Sequence, residues 1–227
     1  MGGHARQEMN NPPRLRQDAY LHIDAALLVI DKPAGLLSVP GRGLDKADCL
    51  AARAQAEFPD ALIVHRLDMD TSGLLLMARG LDAQRRMSRA FAERRVEKRY
   101  VALVAGRMPP PRAEWGTVDL PLVCDWPNRP LQKVDAESGK PSVTRWRVLD
   151  YDAEREATRV ELMPVTGRSH QLRVHMRELG HPMLGDPLYA PPAVRARASR
   201  LLLHASVLRF SHPEQGRAMV FESAPPF

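Results

Sequence analysis

Cysteine is nearly absent. Cys49 and Cys124 are the only two in 227 residues, far apart and without a CxxC pair. That excludes a disulfide framework and a cysteine zinc site, and it fits a reducing cytoplasm. Long apolar runs are missing too. No stretch approaches the roughly 20 apolar residues needed to cross a bilayer. The N-terminus is polar and Pro-rich with no apolar h-region, which argues against secretion. The expectation is a cytoplasmic protein with no membrane partner. There is no internal repeat, heptad run or low-complexity segment, so solenoids and coiled coils are excluded. Lysine is scarce, with five of the 33 basic residues against 28 arginines. That bias suits bidentate phosphate contacts and stacking on bases, and a GC-rich genome would produce it equally well.

What is present is a chain that is 44% hydrophobic, enough for one sizeable core, with a formal net charge of +6 that favours a polyanionic partner. Residues 1–17 have the Gly, Asn, Pro and Arg content of a tail that cannot bury itself. Residues 18–227 read as one domain. Ala25 to Asp31 reads as a buried strand stopped by Lys32-Pro33, with Gly35 permitting a tight turn. Residues 46–58 and 81–95 read as helices. The second turns Leu81, Ala83, Met87 and Phe91 inward and leaves Arg85 and Arg89 to solvent. Alternation from Tyr100 to Val104, from Val143 to Tyr151 and from Val160 to Leu162 predicts antiparallel strands with one covered face. Ser169 is placed to cap a helix carrying Leu172, Met176 and Leu179 and ending at Gly180. The class is α+β. Pro109-Pro110-Pro111 is the best candidate for a hinge or insertion boundary.

The most informative stretch is Val64-His65-Arg66-Leu67-Asp68-Met69-Asp70-Thr71-Ser72-Gly73-Leu74-Leu75-Leu76. It sets a charged cluster between two strand-like runs, Ala61 to Val64 and Gly73 to Ala78, where rigid elements can aim it. Asp68 is the leading candidate. Arg66, two residues earlier, lies on the same face of an extended segment. It could reach a ligand or sit in a buried ion pair. Thr71, Ser72 and Gly73 read as a structural turn. Metal readings are weak: His170 and His175 at i, i+5 do not share a helical ligand face, and Asp68 with Asp70 lacks a third acidic cluster.

Residues 65–78, HRLDMDTSGLLLMA, closely resemble the signature of the RluA family of RNA pseudouridine synthases. Two further segments match in family order: Asp31-Lys32-Pro33-Ala34-Gly35-Leu36-Leu37-Ser38-Val39-Pro40-Gly41 and Gly167-Arg168-Ser169-His170-Gln171-Leu172-Arg173-Val174-His175. The likeness continues through Gly180 to Tyr189 and Leu203-His204-Ala205, and so spans roughly residues 25–222. It implies a pseudouridine synthase fold, a long, bent, mainly antiparallel sheet with flanking helices and a central cleft. It also implies isomerisation of uridine to pseudouridine in structured RNA, with no metal and no cofactor. Too few residues precede the first motif for the S4-like domain of other members.

Carried over residue by residue, the resemblance implies that Asp68 is catalytic, that Arg168 pairs with it, and that Tyr100 stacks on the target base. From spacing alone Tyr100 is an ordinary strand tyrosine. Because a paired uridine must be flipped out to react, Arg66 is the candidate to enter the vacated stack or hold a phosphate. Lys32, Arg85, Arg89, His170 and Arg173 complete the candidate RNA contacts, although a solvated loop lysine and a solvated arginine face are the bland readings of Lys32 and of Arg85 and Arg89. Trp126 and Trp146 read as packing residues. The segment from Asp119 to Pro130 and the short length resemble a single-domain member, which implies 23S ribosomal RNA and a tRNA anticodon stem-loop as substrates; nothing in the sequence argues for an obligate partner, so a monomer is expected. A noncatalytic RNA-binding module and a metal-dependent nuclease are the competing classes. Only the isomerase needs the aspartate–arginine partnership.

Overall fold

The computed structural model describes residues 13–41, 43 and 46–227. Of the expected tail of residues 1–17, residues 1–12 therefore lie outside the described residues. Residues 13–17 do not behave as tail throughout, because Leu15 is 8% exposed and joins the main core. The packed body thus starts earlier than residue 18.

Among the described residues there are twelve strands and four α-helices. β1 (Tyr20–Ile23) pairs antiparallel with β2 (Leu27–Lys32), and β2 with β4 (Ser72–Arg79). β3 (Ala61–Ile63) and β11 (Leu203–Ser211) also join β4, β3 at its end and β11 at its start. β11 continues to β5 (Glu97–Ala105), β10 (Ala157–Pro164), β9 (Val143–Asp152) and β6 (Gly116–Asp119), and carries β12 (Ala218–Glu222) on its other side. β7 (Leu122–Cys124) and β8 (Gln132–Val134) form a separate hairpin. The fold is α+β, and among the described residues the large sheet is antiparallel in every pairing but one, the short parallel contact of His204 and Ala205 with Ser72 and Gly73.

That contact explains Gly73. Its φ is +105°, and a Cβ there would sit 2.3 Å from the Ala205 carbonyl oxygen. Only glycine lets the two backbones approach this closely. Ser72 therefore begins a strand and does not lie in a turn, and its Oγ lies 2.9 Å from His204 Nδ1.

β4 is buried along nearly its whole length, as a central strand packed on both faces must be. One face meets the main core with β2, β5 and β10, and the other meets α2 (Leu81–Ala92). Helix α2 buries Ala83, Met87 and Ala90, whereas Leu81 is 60% exposed. The inward face is turned from the expected one because Leu81 is the first helical residue, at the outer edge of the stripe. α1 (Leu50–Gln55) is shorter than expected, and its cap is Cys49, whose sulfur accepts from the Ala52 N–H. α3 (Gln171–Glu178) begins after His170, not at Ser169. His170 takes a left-handed φ of 54° and no side chain caps the helix. Gly180, at φ +83°, follows its C-terminus as expected. α4 (Pro192–Arg195) is a single turn. Trp146 packs against the main core, but Trp126 is 65% exposed beneath the Arg129 guanidinium, 4.3 Å from its ring centre.

Candidate active site

A cleft of about 510 Å³ opens between the loop before β4, the start of β5 and the N-terminus of α3. Its size lies within the roughly 300–1,000 Å³ of small-ligand sites. Among the described residues its lining carries five cationic side chains, Arg66, Arg94, Lys98, Arg168 and Arg173, and one carboxylate, Asp68.

Three tethers fix the loop that bears Asp68 to the turn after β2. The Gly35 N–H donates to the Met69 carbonyl at 2.8 Å, and Gly35 itself turns at φ +83°. Ser38 Oγ donates to the Leu67 carbonyl at 2.6 Å and accepts from the Leu67 N–H at 3.1 Å. The third tether is Lys32, which is fully buried, so the expectation that it contacts RNA is wrong. Its ammonium donates to the carbonyls of Pro33, Leu36 and Met69 at 2.9, 2.8 and 3.0 Å. All three protons are thereby used. Burial pulls its pKa down to about 8 against the opposing charges of Asp70 and Asp68.

The partner of Asp68 is Arg173, not Arg168. Arg173 Nη1 lies 3.5 Å from Asp68 Oδ2. The same guanidinium grips Asp186 in a fork at 2.8 and 2.6 Å, and both residues are at most 2% exposed. Asp186 also accepts from the Leu188 and Tyr189 N–H groups. Burial works against the Arg173 charge, but the hydrogen bonds and charge of Asp186, with Asp68 behind them, hold its pKa above the ordinary value. This is a charge-assisted fork of the strong kind. Arg173 is thus enclosed by protein and is no surface RNA contact. Arg168 precedes the helix, is exposed, and donates to the Pro141 carbonyl at 3.3 Å. It still lines the cleft.

The phase of α3 decides between the two arginines. Gln171 locks it: its carbonyl accepts from Thr166 and from the Arg168 N–H, and its amide donates to Val143 and Thr144. His170 Nε2 sits 4.0 Å from Asp68, and its Nδ1 is 2.6 Å from the Tyr189 hydroxyl. Burial lowers the His170 pKa despite the nearby carboxylate. Tyr189 lies under the Arg173 guanidinium, and burial pushes its phenol up to about 12.

Tyr100 lines the cleft from β5. Burial, reinforced by the Asp68 charge, raises its pKa, so the phenol stays neutral and offers a flat apolar face. Arg66 lines the cleft too, exposed and in no ion pair among the described residues, so the buried ion pair is not what it forms. Arg85 and Arg89 are exposed on α2 but not in the cleft lining, and Arg85 pairs with Asp82. Among the described residues no group of three or more His, Cys, Asp or Glu is placed to hold a metal. No helix there is long and apolar enough to cross a membrane.

Sequence reasoning missed the Arg173–Asp186 fork and the role of Lys32. The fork has a signal in hindsight, since an arginine inside the otherwise buried run from Gln171 to Met176 needs a buried acid to accompany it.

Residues 26–178 match the family model described as RNA pseudouridylate synthase. The chain is 51% identical over 220 residues to the dual-specificity RNA pseudouridine synthase RluA of Escherichia coli strain K12, covering 97% of this chain and 99% of that one. It is 47% identical to the RluA of Vibrio parahaemolyticus over 90% of this chain and 82% of the relative. Among solved structures, human RNA pseudouridylate synthase domain containing 1 superimposes with a TM-score of 0.74 at 30% identity, covering 92% of this chain and 84% of that one. Human RNA pseudouridylate synthase domain containing 4 gives 0.71 at 26% identity, covering 92% and 89%.

Proposed function

The chain belongs to the RNA pseudouridylate synthase family and isomerises uridine to pseudouridine in RNA, and from that premise we propose that Asp68 is the carboxylate that drives the reaction. The carrying observation is a single carboxylate at the floor of a cationic cleft, held by a guanidinium that is itself fixed by a second, fully buried acid. Arg173 keeps Asp68 in one orientation and favours its ionised form. Tyr100 supplies the face on which the pyrimidine stacks, attached or free. Arg66 and Arg168 stand at the rim for the RNA backbone or the gap left by the flipped nucleotide.

In the reaction the bond between N1 and ribose C1′ breaks and a bond between C5 and C1′ forms. C5 loses its hydrogen and N1 gains one, so substrate and product are isomers. Asp68 supplies the anionic oxygen at the sugar, and the closed floor of the cleft keeps the cleaved base from water.

The substrates we assign are 23S ribosomal RNA and a tRNA anticodon stem-loop. Support comes from the dual-specificity relatives, which match this chain along nearly their full length. Recognition then depends on the folded shape of a short loop. We further assign the described body, from Leu15 to Phe227, to a single catalytic domain working as a monomer in the cytoplasm.

The test is carbodiimide labelling and primer extension on both RNAs after incubation with the protein or with Asp68→Asn. The variant is expected to lose pseudouridine formation at least a thousandfold, by roughly 4 kcal/mol of barrier, while RNA affinity changes less than threefold. Turnover retained by Asp68→Asn overturns the assignment, and marks on only one RNA overturn the dual specificity.

A further inference from the structure

Three cations of the cleft, Arg66, Arg94 and Lys98, have neither an ion pair nor a side-chain hydrogen bond among the described residues; the two arginines are exposed, and only Lys98 is half-buried. Lys98 lies in β5, two residues before Tyr100 and so on the same face of the strand. The residue is half-buried, its Nζ stands 5.9 Å from the Phe91 ring centre, and a Cβ on Gly167 would lie 3.9 Å from that Nζ. Among the described residues it makes no ion pair and no side-chain hydrogen bond, and burial alone acts on its pKa, pulling it down. Contrast Lys32, fully buried but with every proton used. A half-desolvated ammonium with free donors pointing into a groove is an arrangement that lowers stability unless a ligand completes it.

We propose that Lys98 forms a subsite for a backbone phosphodiester of the RNA, one nucleotide outward from the base that stacks on Tyr100. Three observations select a phosphodiester. Lys98 and Tyr100 are separated by about 7 Å along the strand, close to the spacing of one nucleotide in an extended chain. Burial along β5 decreases from Tyr100 towards Lys98, so Lys98 is on the mouth side. The same cleft lining carries Arg94 and Arg66 and no acid other than Asp68, so an anion entering the cleft meets net positive charge. His65, whose imidazole is stacked on Phe91 and kept neutral by burial and by the Lys98 charge, lines the same cleft without adding charge of its own.

This subsite rests on the reading of Asp68 and Tyr100 given above, and its test does not require turnover. In an Asp68→Asn background, equilibrium binding of a uridine-containing anticodon stem-loop RNA is measured from about 0.05 to 0.3 M salt. Each phosphate contact contributes about 0.7–0.9 to the slope of log affinity against log salt. Lys98→Met is expected to reduce that slope by this amount and to weaken binding about tenfold at 0.1 M salt. Lys98→Arg is expected to restore the slope, and Lys98→Gln, which keeps length and polarity, to behave like Lys98→Met. An unchanged slope in Lys98→Met and Lys98→Gln overturns the subsite, as does a loss of affinity equal at every salt concentration. Failure of the Asp68 assignment would show separately, as turnover in Asp68→Asn.

Discussion

At the residue scale, two arginines five positions apart in one motif have opposite fates. Arg173 is tied to a carboxylate that is completely buried, so Arg173→Met leaves Asp186 uncompensated. We expect a loss of about 3–5 kcal/mol in urea denaturation together with a collapse of activity. Arg168→Met, at an exposed side chain with one long hydrogen bond, should stay within about 0.5 kcal/mol. Equal destabilisation of the two variants would contradict the pairing described here. The place of Asp68 in the cleft was legible in the long motif of residues 65–78, and that of Tyr100 only in its match to a family tyrosine, since spacing alone makes it an ordinary strand residue. The choice between Arg168 and Arg173 was not, because it depends on where the helix starts. That start is set by a left-handed His170 and by the four hydrogen bonds of Gln171, neither of which leaves a mark in hydrophobic periodicity. Lys32 was misread for a related reason. A lysine before a proline at a strand end has the sequence signature of a solvated loop, and only the return of the Met69 carbonyl from 37 residues away encloses it.

Elements were more readable than side-chain roles. The apolar runs of β2 and β4 announce central strands, and the alternation of β5, β9 and β10 announces antiparallel neighbours. The parallel join of β4 to β11 was beyond reach, since it spans 132 residues and only two register pairs. It nevertheless sets where the Asp68 loop emerges, because β4 begins four residues after that aspartate. Gly73→Ala tests its weight. The added methyl would collide with the Ala205 backbone and the φ of +105° would be strained, so we expect a loss of at least about 3 kcal/mol, one strained residue plus overpacking. Thermal melting measures it, and a shift of less than 2 °C would mean that β11 yields easily.

At the scale of the whole molecule, the buried histidines give stability a direction in pH. His65 accepts from the Leu76 N–H and is pulled by burial from the usual 6.5 down to about 3. His170, His175 and His204 shift the same way, burial being the largest cause in each. Below pH 6.5 the unfolded chain takes up protons that the folded chain refuses, so stability falls as pH falls. For His65 this continues to about pH 3, with a slope of about 1.4 kcal/mol per pH unit. Asp24 adds to the trend. Burial alone would raise its pKa, but hydrogen bonds from His22 and from the Ala26 and Leu27 N–H groups lower it to about 2. Its contribution, present above 3.8, is lost as pH drops towards 2. Urea midpoints at pH 7 and pH 5 should therefore differ clearly in favour of pH 7, and a higher midpoint at pH 5 would refute the neutral burial of these rings.

The three carbonyls gathered by Lys32 also bear on engineering. Because one ammonium staples two sequence-distant segments, the reactive loop is not a portable cassette. Grafting residues 64–71 onto another scaffold without residues 32–38 would leave the aspartate untethered, and a useful graft must move both segments as one unit.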